Sequence, residues 1–319
     1  MLQNIAVLTS GNDSPGMNAA IRAVVRTAAS KGVKVWGIHN GYKGLLNDEF
    51  EELTSRSVGD MIQKGGTMLG TARSNTFMTP EGQQKAFEIL KSHGIEGLVV
   101  IGGCGSLKGG AILEELGMPV VGIPATIEND VWGTDYTIGS DTAANTVIDA
   151  INKLRDTASA HRRIILIEVM GKTSGWLALT SAIAGGAEHI IIPEAAYNVD
   201  YMAEEIKASY DIGKRYSIIV VAEGGASAVE IGKQISEKTG IDTRVSVLGH
   251  IQRGGSPTVK DRINATLLAE RATLALVEGR SNILFGYDRS TVVELSLQEA
   301  VYCKKTLDTE LIRLSRVLA

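Results

Sequence analysis

Residues 96–130, EGLVVIGGCGSLKGGAILEELGMPVVGIPATIEND, constrain the fold more tightly than any other stretch. Residues 98–101 are an unbroken apolar run, the pattern of a parallel strand buried on both faces. Residues 102–106 form a glycine-rich turn. Residues 107–116 have helical spacing and stop at Gly117, a residue suited to the left-handed turn that closes a helix. Residues 120–123 read as a second buried strand, which ends in Pro124-Ala-Thr-Ile-Glu-Asn-Asp130. Strand, loop, helix, strand and loop make a right-handed crossover unit, with both loops at the carboxyl ends of their strands. Open α/β sheets bind ligands along that edge. The first loop offers bare backbone N–H groups to anionic oxygens. The second carries the Thr126 hydroxyl and the Glu128 and Asp130 carboxylates. Phosphate-cradling amides beside acid–base groups point to phosphoryl transfer.

The same alternation runs through the rest of the chain. A strand at 4–8 feeds the turn Thr9-Ser-Gly-Asn-Asp-Ser-Pro-Gly16 and a helix at 17–30. That arrangement suits an anion at the helix N-terminus and equally a plain tight turn. Arg22 and Arg26 lie four apart on the helix and share a face, either solvated or part of an anion pocket at a subunit edge. A strand at 33–38 leads to the loop 40–44, where Tyr42 either stacks on a base or sits half-buried. Residues 65–73 are another glycine-rich loop, ending in Arg73. Pro80 opens a helix behind Thr79. Residues 133–141 are turn-rich, with Asp135 and Asp141 read as caps or network partners, and a helix spans 142–159. Strands follow at 164–169, 189–192, 217–222 and 244–248, and helices at 201–214, 227–239 and 259–278. A short β segment and an amphipathic stretch close the chain. The pattern predicts an α/β fold of doubly wound sheets, with a domain switch near Gly139 and an active site in the cleft between two domains.

A length of 319 residues suits two such domains better than one core. The net charge of −4 argues against a general nucleic-acid binder, so an anionic substrate needs a local cationic pocket. Cys104 and Cys303 form no Cys-x-x-Cys metal motif and fit a reducing compartment. The chain enters its first strand within a few residues and holds no apolar run long enough to span a bilayer. The expectation is a cytoplasmic protein with no membrane and no nucleic-acid partner.

Seven segments, in order, resemble the bacterial ATP-dependent 6-phosphofructokinases: SGNDSPGMNA from Ser10, GGTMLGTAR from Gly65, GGCGS from Gly102, PATIENDVWGTDYTIGSDTA from Pro124, EVMGKTSG from Glu168, IIPE from Ile191 and VLGHIQRGGSP from Val247. The resemblance implies two Rossmann-like domains. The larger, ATP-binding one takes residues 1–138 and 251–301; the smaller, fructose-6-phosphate-binding one takes 139–250 and 302–319. It also implies a homotetramer, a Mg²⁺ cofactor and glycolytic conversion of ATP and fructose 6-phosphate to ADP and fructose 1,6-bisphosphate. ATP is expected at Gly11, Asn12, Tyr42, Arg73, Ser74, Gly103, Cys104, Gly105, Ser106 and Gly109. In the family the chain resembles, a glycine at position 105 goes with ATP rather than pyrophosphate. The sugar phosphate is expected at Thr126, Ile127, Glu128, Met170, Gly171, Lys172, Glu223, His250, Ile251, Gln252 and Arg253, with Arg163 and Arg244 reaching in from a neighbouring subunit. Arg22, Arg26, Asp60, Arg155, Gly186, Glu188, Lys214 and Tyr216 match an allosteric site for ADP or phosphoenolpyruvate.

The departures from the family pattern fall on the chemistry. The magnesium-associated aspartate is Cys104 and the catalytic aspartate is Glu128. A phosphate-facing glycine is Asn12, an arginine is Lys172, and a further ATP-side arginine is Met78. In the effector set, a lysine is Ile212 and Arg56 is offset by one. With Thr126, Glu128, Asp130 and Lys172 as the catalytic group and Asp130 near the metal, the expectation is a 6-phosphofructokinase of reduced activity. The alternative is a non-catalytic, regulatory or sugar-phosphate-binding paralogue.

Overall fold

Strand β1 (Asn4–Ser10) is an inner strand of a seven-stranded sheet in the computed structural model, which describes residues 2–317. The strand order is β11 (Thr291–Ser296), β10 (Ile283–Asp288), β5 (Val120–Pro124), β4 (Gly97–Gly102), β1, β2 (Lys34–Ile38), β3 (Phe50–Leu53). The inner five are parallel, and β3 and β11 close the two edges antiparallel. Helices cover both faces. Ile5 and Val7 point into a core with α1 (Met17–Ser30) and α9 (Val259–Val277). Ala6 and Leu8 point the other way, into a core with α3 (Pro80–Ser92) and α4 (Cys104–Glu115). Two buried faces are why these strands are continuous apolar runs rather than alternating ones.

The chain steps from β1 outward to β2 and β3, then returns to β4 on the opposite flank of β1. The crevice between the carboxyl ends of β1 and β4 is therefore a topological switch point. The glycine-rich loops after these two strands lead into α1 and α4.

A second, all-parallel sheet has the order β7 (His189–Ile191), β8 (Ser217–Ala222), β6 (Ile164–Val169), β9 (Thr243–Val247). It carries α6 (Trp176–Gly185), α7 (Val199–Asp211), α8 (Ala228–Thr239) and α11 (Thr309–Val317). The chain divides into two compact units, residues 1–142 with 253–305 around the large sheet and residues 143–252 with 306–319 around the small one. The helix α5 (Ser140–His161) begins in the first and continues in the second.

Four local details differ from the sequence reading. The loop expected at 40–44 is a short helix, α2 (Gly41–Leu46), because Tyr42, Leu45 and Leu46 are all buried against the sheet. The turn at 102–106 ends earlier than expected, and α4 already begins at Cys104. The strand β3 carries no apolar signal, since its central Glu51 and Glu52 are exposed on an edge. The short β segment near the end is the hairpin β10–β11, followed by α10 (Leu297–Tyr302).

Candidate functional site

The loops after β1, β4 and β5 enclose a cavity of about 560 Å³ in the first unit. Its walls carry Gly11, Asn12, Tyr42, Arg73, Ser74, Gly103, Cys104, Gly105 and Ser106, together with Thr126, Glu128 and Asp130. The expected nucleotide set apart from Gly109, and three of the four expected catalytic residues, thus share one space. Among the described residues, no side chain caps α4, so its first-turn amides at Cys104 and Gly105 are open at the cavity wall with the positive end of the helix dipole behind them. A Cβ added at Gly105 would meet nothing within 4 Å, so any side chain there would extend into the cavity. Tyr42 departs from the base-stacking reading. Its ring lies flat on Phe77 at 4.0 Å, and its hydroxyl donates to the Ser106 carbonyl at 2.6 Å. Gly109 does not line this cavity; a Cβ there would fall 2.7 Å from that ring, so it serves the close approach of α4 to Tyr42. Ser10, Ala72 and Ala125, which lie inside the matching segments, and Asn75 and Phe77, which lie outside them, also line the cavity and were not singled out in the sequence.

The acid–base loop is folded on itself. The Thr126 hydroxyl accepts the Glu128 backbone N–H at 3.2 Å and hydrogen-bonds to the Asp130 carboxylate. The Thr126 carbonyl accepts from Thr137 at 2.7 Å. Ile127 and Asn129 are buried beneath, and Asn129 holds a left-handed backbone (φ 47°) while donating to the Asp135 carbonyl at 2.9 Å. This alternation turns Thr126, Glu128 and Asp130 toward the cavity. Burial raises the Asp130 carboxyl above its ordinary range, opposed by its own backbone, by Lys305 and by Thr126.

Cys104 meets a direct test as a metal ligand and does not fit. Burial and the neighbouring Asp130 charge push its thiol up to about 12, and its Sγ donates to the Asp130 carbonyl at 3.6 Å. A neutral thiol is no ligand for a hard cation, which takes oxygen donors. Among the described residues no group of three His, Cys, Asp or Glu side chains is placed to hold an ion. The Asp130 carboxylate does fit a cation that arrives already chelated by phosphate oxygens. Behind this wall lies Lys305, whose buried ammonium is pulled down to about 8 by desolvation.

The remaining sugar-phosphate candidates sit in the second unit, apart from Arg253. Met170, Gly171 and Lys172 follow β6, Glu223 follows β8, and His250 and Ile251 follow β9, all at the carboxyl edge of the small sheet. Gln252 is fully buried; it accepts from the Met170 N–H at 3.1 Å and donates to the Gly249 carbonyl at 2.9 Å, tying the segment to the end of β6. Gly171 has φ 139°, and a Cβ there would lie 2.4 Å from the Ser174 carbonyl, so only glycine allows this tight turn. Glu223 Oε1 and Arg253 Nε are buried without a hydrogen-bond partner among the described residues. Arg163 and Arg244 lie at the opposite, amino edge, where Arg163 and Arg244 pair with Asp242 at 2.6 and 3.1 Å. A six-residue strand separates Arg163 from Met170, about 20 Å at roughly 3.3 Å per residue. One chain therefore does not bring these two arginines to its own Met170 and Glu223.

The expected effector residues also divide. In the second unit Arg155 donates to the Gly185 and Gly186 carbonyls, the latter at 2.8 Å, and Lys214 pairs with Glu188 at 2.9 Å. Glu188 also accepts the Ile218 N–H at 2.6 Å, and Tyr216 is half-buried nearby in sequence. Arg22 and Arg26 stand on α1 of the first unit, half-buried and exposed, and Asp60 accepts from Gln63 at 2.7 Å. No helix among the described residues is long and apolar enough to cross a membrane.

The comparisons agree with this geometry. The family model described as phosphofructokinase matches residues 4–276. The chain is 53% identical to the ATP-dependent 6-phosphofructokinase of Bacillus pumilus (strain SAFR-032) and 52% identical to that of Halalkalibacterium halodurans, each over 318 residues and covering 100% of both chains. Among solved structures, phosphofructokinase from Saccharomyces cerevisiae superposes with TM-score 0.87 at 37% identity over 94% of this chain, which spans 45% of the yeast chain. A pyrophosphate-dependent phosphofructokinase from Marinobacter aquaeolei, 20% identical over 97% of this chain and 86% of its own, reaches TM-score 0.86 and shares the fold. Switch-point cavity, glycine loops and full-length relatives together show that this chain belongs to the phosphofructokinase family.

Proposed function

We propose that the chain transfers the γ-phosphoryl group of ATP to the 1-hydroxyl of fructose 6-phosphate, releasing ADP and fructose 1,6-bisphosphate. One observation carries the reading: a single cavity holds both the uncapped amides of α4 and the carboxylates of the Thr126–Glu128–Asp130 loop. The α4 amides and Arg73 bear on the phosphate oxygens. In phosphoryl transfer, catalysis is mostly positioning and charge stabilisation. Glu128 takes the proton of the sugar 1-hydroxyl as its oxygen attacks the γ-phosphorus, and the β–γ bridging oxygen leaves with ADP. Thr126 fixes the loop, and Lys172 adds positive charge. Met170, Gly171, Glu223, His250, Ile251 and Arg253 receive the sugar phosphate, and the unpartnered Glu223 Oε1 suits a sugar hydroxyl donor.

Family membership implies a divalent cation, here taken as Mg²⁺. When bound, it would neutralise charge on the transferring phosphoryl oxygens, and Asp130 is the side chain that would hold it. The thiol at Cys104 and the longer Glu128 reduce the rate without removing the reaction. Nothing in the comparisons favours a non-catalytic paralogue. Arg163 and Arg244 act across a subunit boundary in a homotetramer, and Arg22, Arg26 and Asp60 meet Arg155, Gly186, Glu188, Lys214 and Tyr216 of another subunit at an effector site for ADP or phosphoenolpyruvate.

The test is steady-state ADP release by the purified chain with fructose 6-phosphate and saturating Mg-ATP, beside a parallel assay with pyrophosphate. Turnover with ATP and none with pyrophosphate is expected. Background rates with both phosphoryl donors overturn the proposal.

A further inference from the structure

Lys305 does not line the nucleotide cavity, yet its surroundings are unusual for a lysine. It lies three residues beyond α10. That helix is fixed to α4: Leu297 and Ala300 are fully buried in the same core as Leu107, and Lys108 sits over the Tyr302 ring at 5.5 Å. The chain leaving α10 is thereby led back toward the first turn of α4, where Cys104 stands. The Lys305 Nζ has no water-accessible surface and no hydrogen-bond partner among the described residues. The carboxylates that act on it are Asp135 and Asp130, with the neutral Cys104 thiol nearby. Asp130 and Cys104 line the nucleotide cavity; Lys305 does not. The ammonium is thus a fixed positive charge behind the cavity wall, in the field of the one carboxylate suited to a metal.

Burying an ammonium with no hydrogen bond is unfavourable unless opposite charge compensates it. Asp130 and Asp135 supply that compensation. The converse matters for function. A dry positive charge behind Asp130 weakens the pull of that carboxylate on any second cation, because charges interact strongly where water is excluded. The neutral thiol of Cys104 adds nothing to restore that pull.

We propose that Lys305 is a positioning residue that acts through Asp130, lowering the affinity of the empty nucleotide cavity for a divalent cation, so that the cation enters as a chelate of the nucleotide. The proposal rests on Asp130 facing the nucleotide phosphates. Its test does not require turnover, so a chain without kinase activity still reports it.

The experiment is Mn²⁺ binding to the full chain, read by the electron paramagnetic resonance signal of free Mn²⁺, first without nucleotide and then with a non-hydrolysable ATP analogue. Without nucleotide, Lys305→Met should bind Mn²⁺ about tenfold tighter than the parent chain or more. Lys305→Arg, which keeps the charge, should match the parent. Adding Asp130→Asn to Lys305→Met should abolish the gain. With the ATP analogue present, parent and Lys305→Met should differ by less than without it. Lys305→Gln gives a second neutral variant where Lys305→Met does not fold. Equal Mn²⁺ affinity in the parent and the neutral variants overturns the proposal, as does a gain that survives Asp130→Asn.

Discussion

At the level of single residues, position 105 offers a clean test of what the cavity admits. A side chain at Gly105 extends into open space beside the uncapped amides of α4, so Gly105→Asp should leave the fold intact and set a carboxylate against the triphosphate. Like charges brought together cost several kcal/mol, which at about 1.4 kcal/mol per decade predicts a fall of more than about 10²-fold in kcat/KM for ATP. Unchanged kinetics would remove the phosphates from this wall. Glu128 poses the opposite case. Its carboxylate stands one methylene further out than an aspartate, and misplacement by about 1 Å can cost roughly 10²-fold in rate. Glu128→Asp should therefore raise kcat by up to that factor, and a fall would show that the loop is built around the longer side chain. Residues of this kind were legible in the sequence because loops of glycine, hydroxyl and carboxylate carry chemistry in their composition. The Tyr42 ring was not, since its stacking on Phe77 joins residues 35 positions apart and neither flanking sequence announces the other.

Among the elements, the long buried strands and helices were readable from their apolar periods, whereas α2 and the first turn of α4 were not. Both carry glycines that lower helix propensity, and tertiary packing overrides it. The join between the turn at 133–141 and α9 depends on a residue that sequence reading passed over. Asp261 is fully buried and accepts from Tyr136, from the Gly139 N–H at 2.5 Å, and from both the hydroxyl and the N–H of Thr142, the last at 2.8 Å. Asp261→Ala removes the acceptor those buried donors share. The unfolding free energy of the first unit should fall by about 3–5 kcal/mol. Urea unfolding in a Trp176→Phe background, followed by the fluorescence of Trp36 and Trp132, both in that unit, gives the measurement. On the small sheet, His189 at the start of edge strand β7 is held neutral by burial, which lowers its pKa below 6.5 against the opposing pull of Glu205 and Glu188, with Lys214 lowering it further. The unfolded chain therefore binds a proton that the folded chain refuses. Stability from this group is present above pH 6.5 and is lost as the pH falls toward the folded pKa. His189→Gln should flatten that acid limb in thermal melts, and an unaltered pH profile would show that His189 is not its source.

For the molecule as a whole, the question is how residues at opposite edges of one sheet can serve one reaction. Arg163 and Arg244 stand at the amino edge of the small sheet, while Met170, Glu223 and His250 stand at its carboxyl edge, a strand length of about 20 Å away. No side chain spans that distance. If all of them bind fructose 6-phosphate, the arginines of one chain must reach the sugar of another, and the active protein must be an oligomer. The exposed Arg244 suits this role: its guanidinium pairs with Asp242 at 3.1 Å, yet 61% of its side chain remains exposed and open to a neighbour. The consequence is a complementation pattern that a monomeric site cannot produce. Arg244→Ala and His250→Ala should each lower activity on fructose 6-phosphate by about 10² or more, as loss of a charged phosphate contact does. When the two variants are denatured together and refolded as mixed assemblies, some sites combine an intact Arg244 from one chain with an intact His250 from the other. Activity should then rise well above either parent, in proportion to the hybrid fraction separated by ion exchange. Sites built within single chains would gain nothing from mixing, and that result would return both arginines to a structural role at the amino edge.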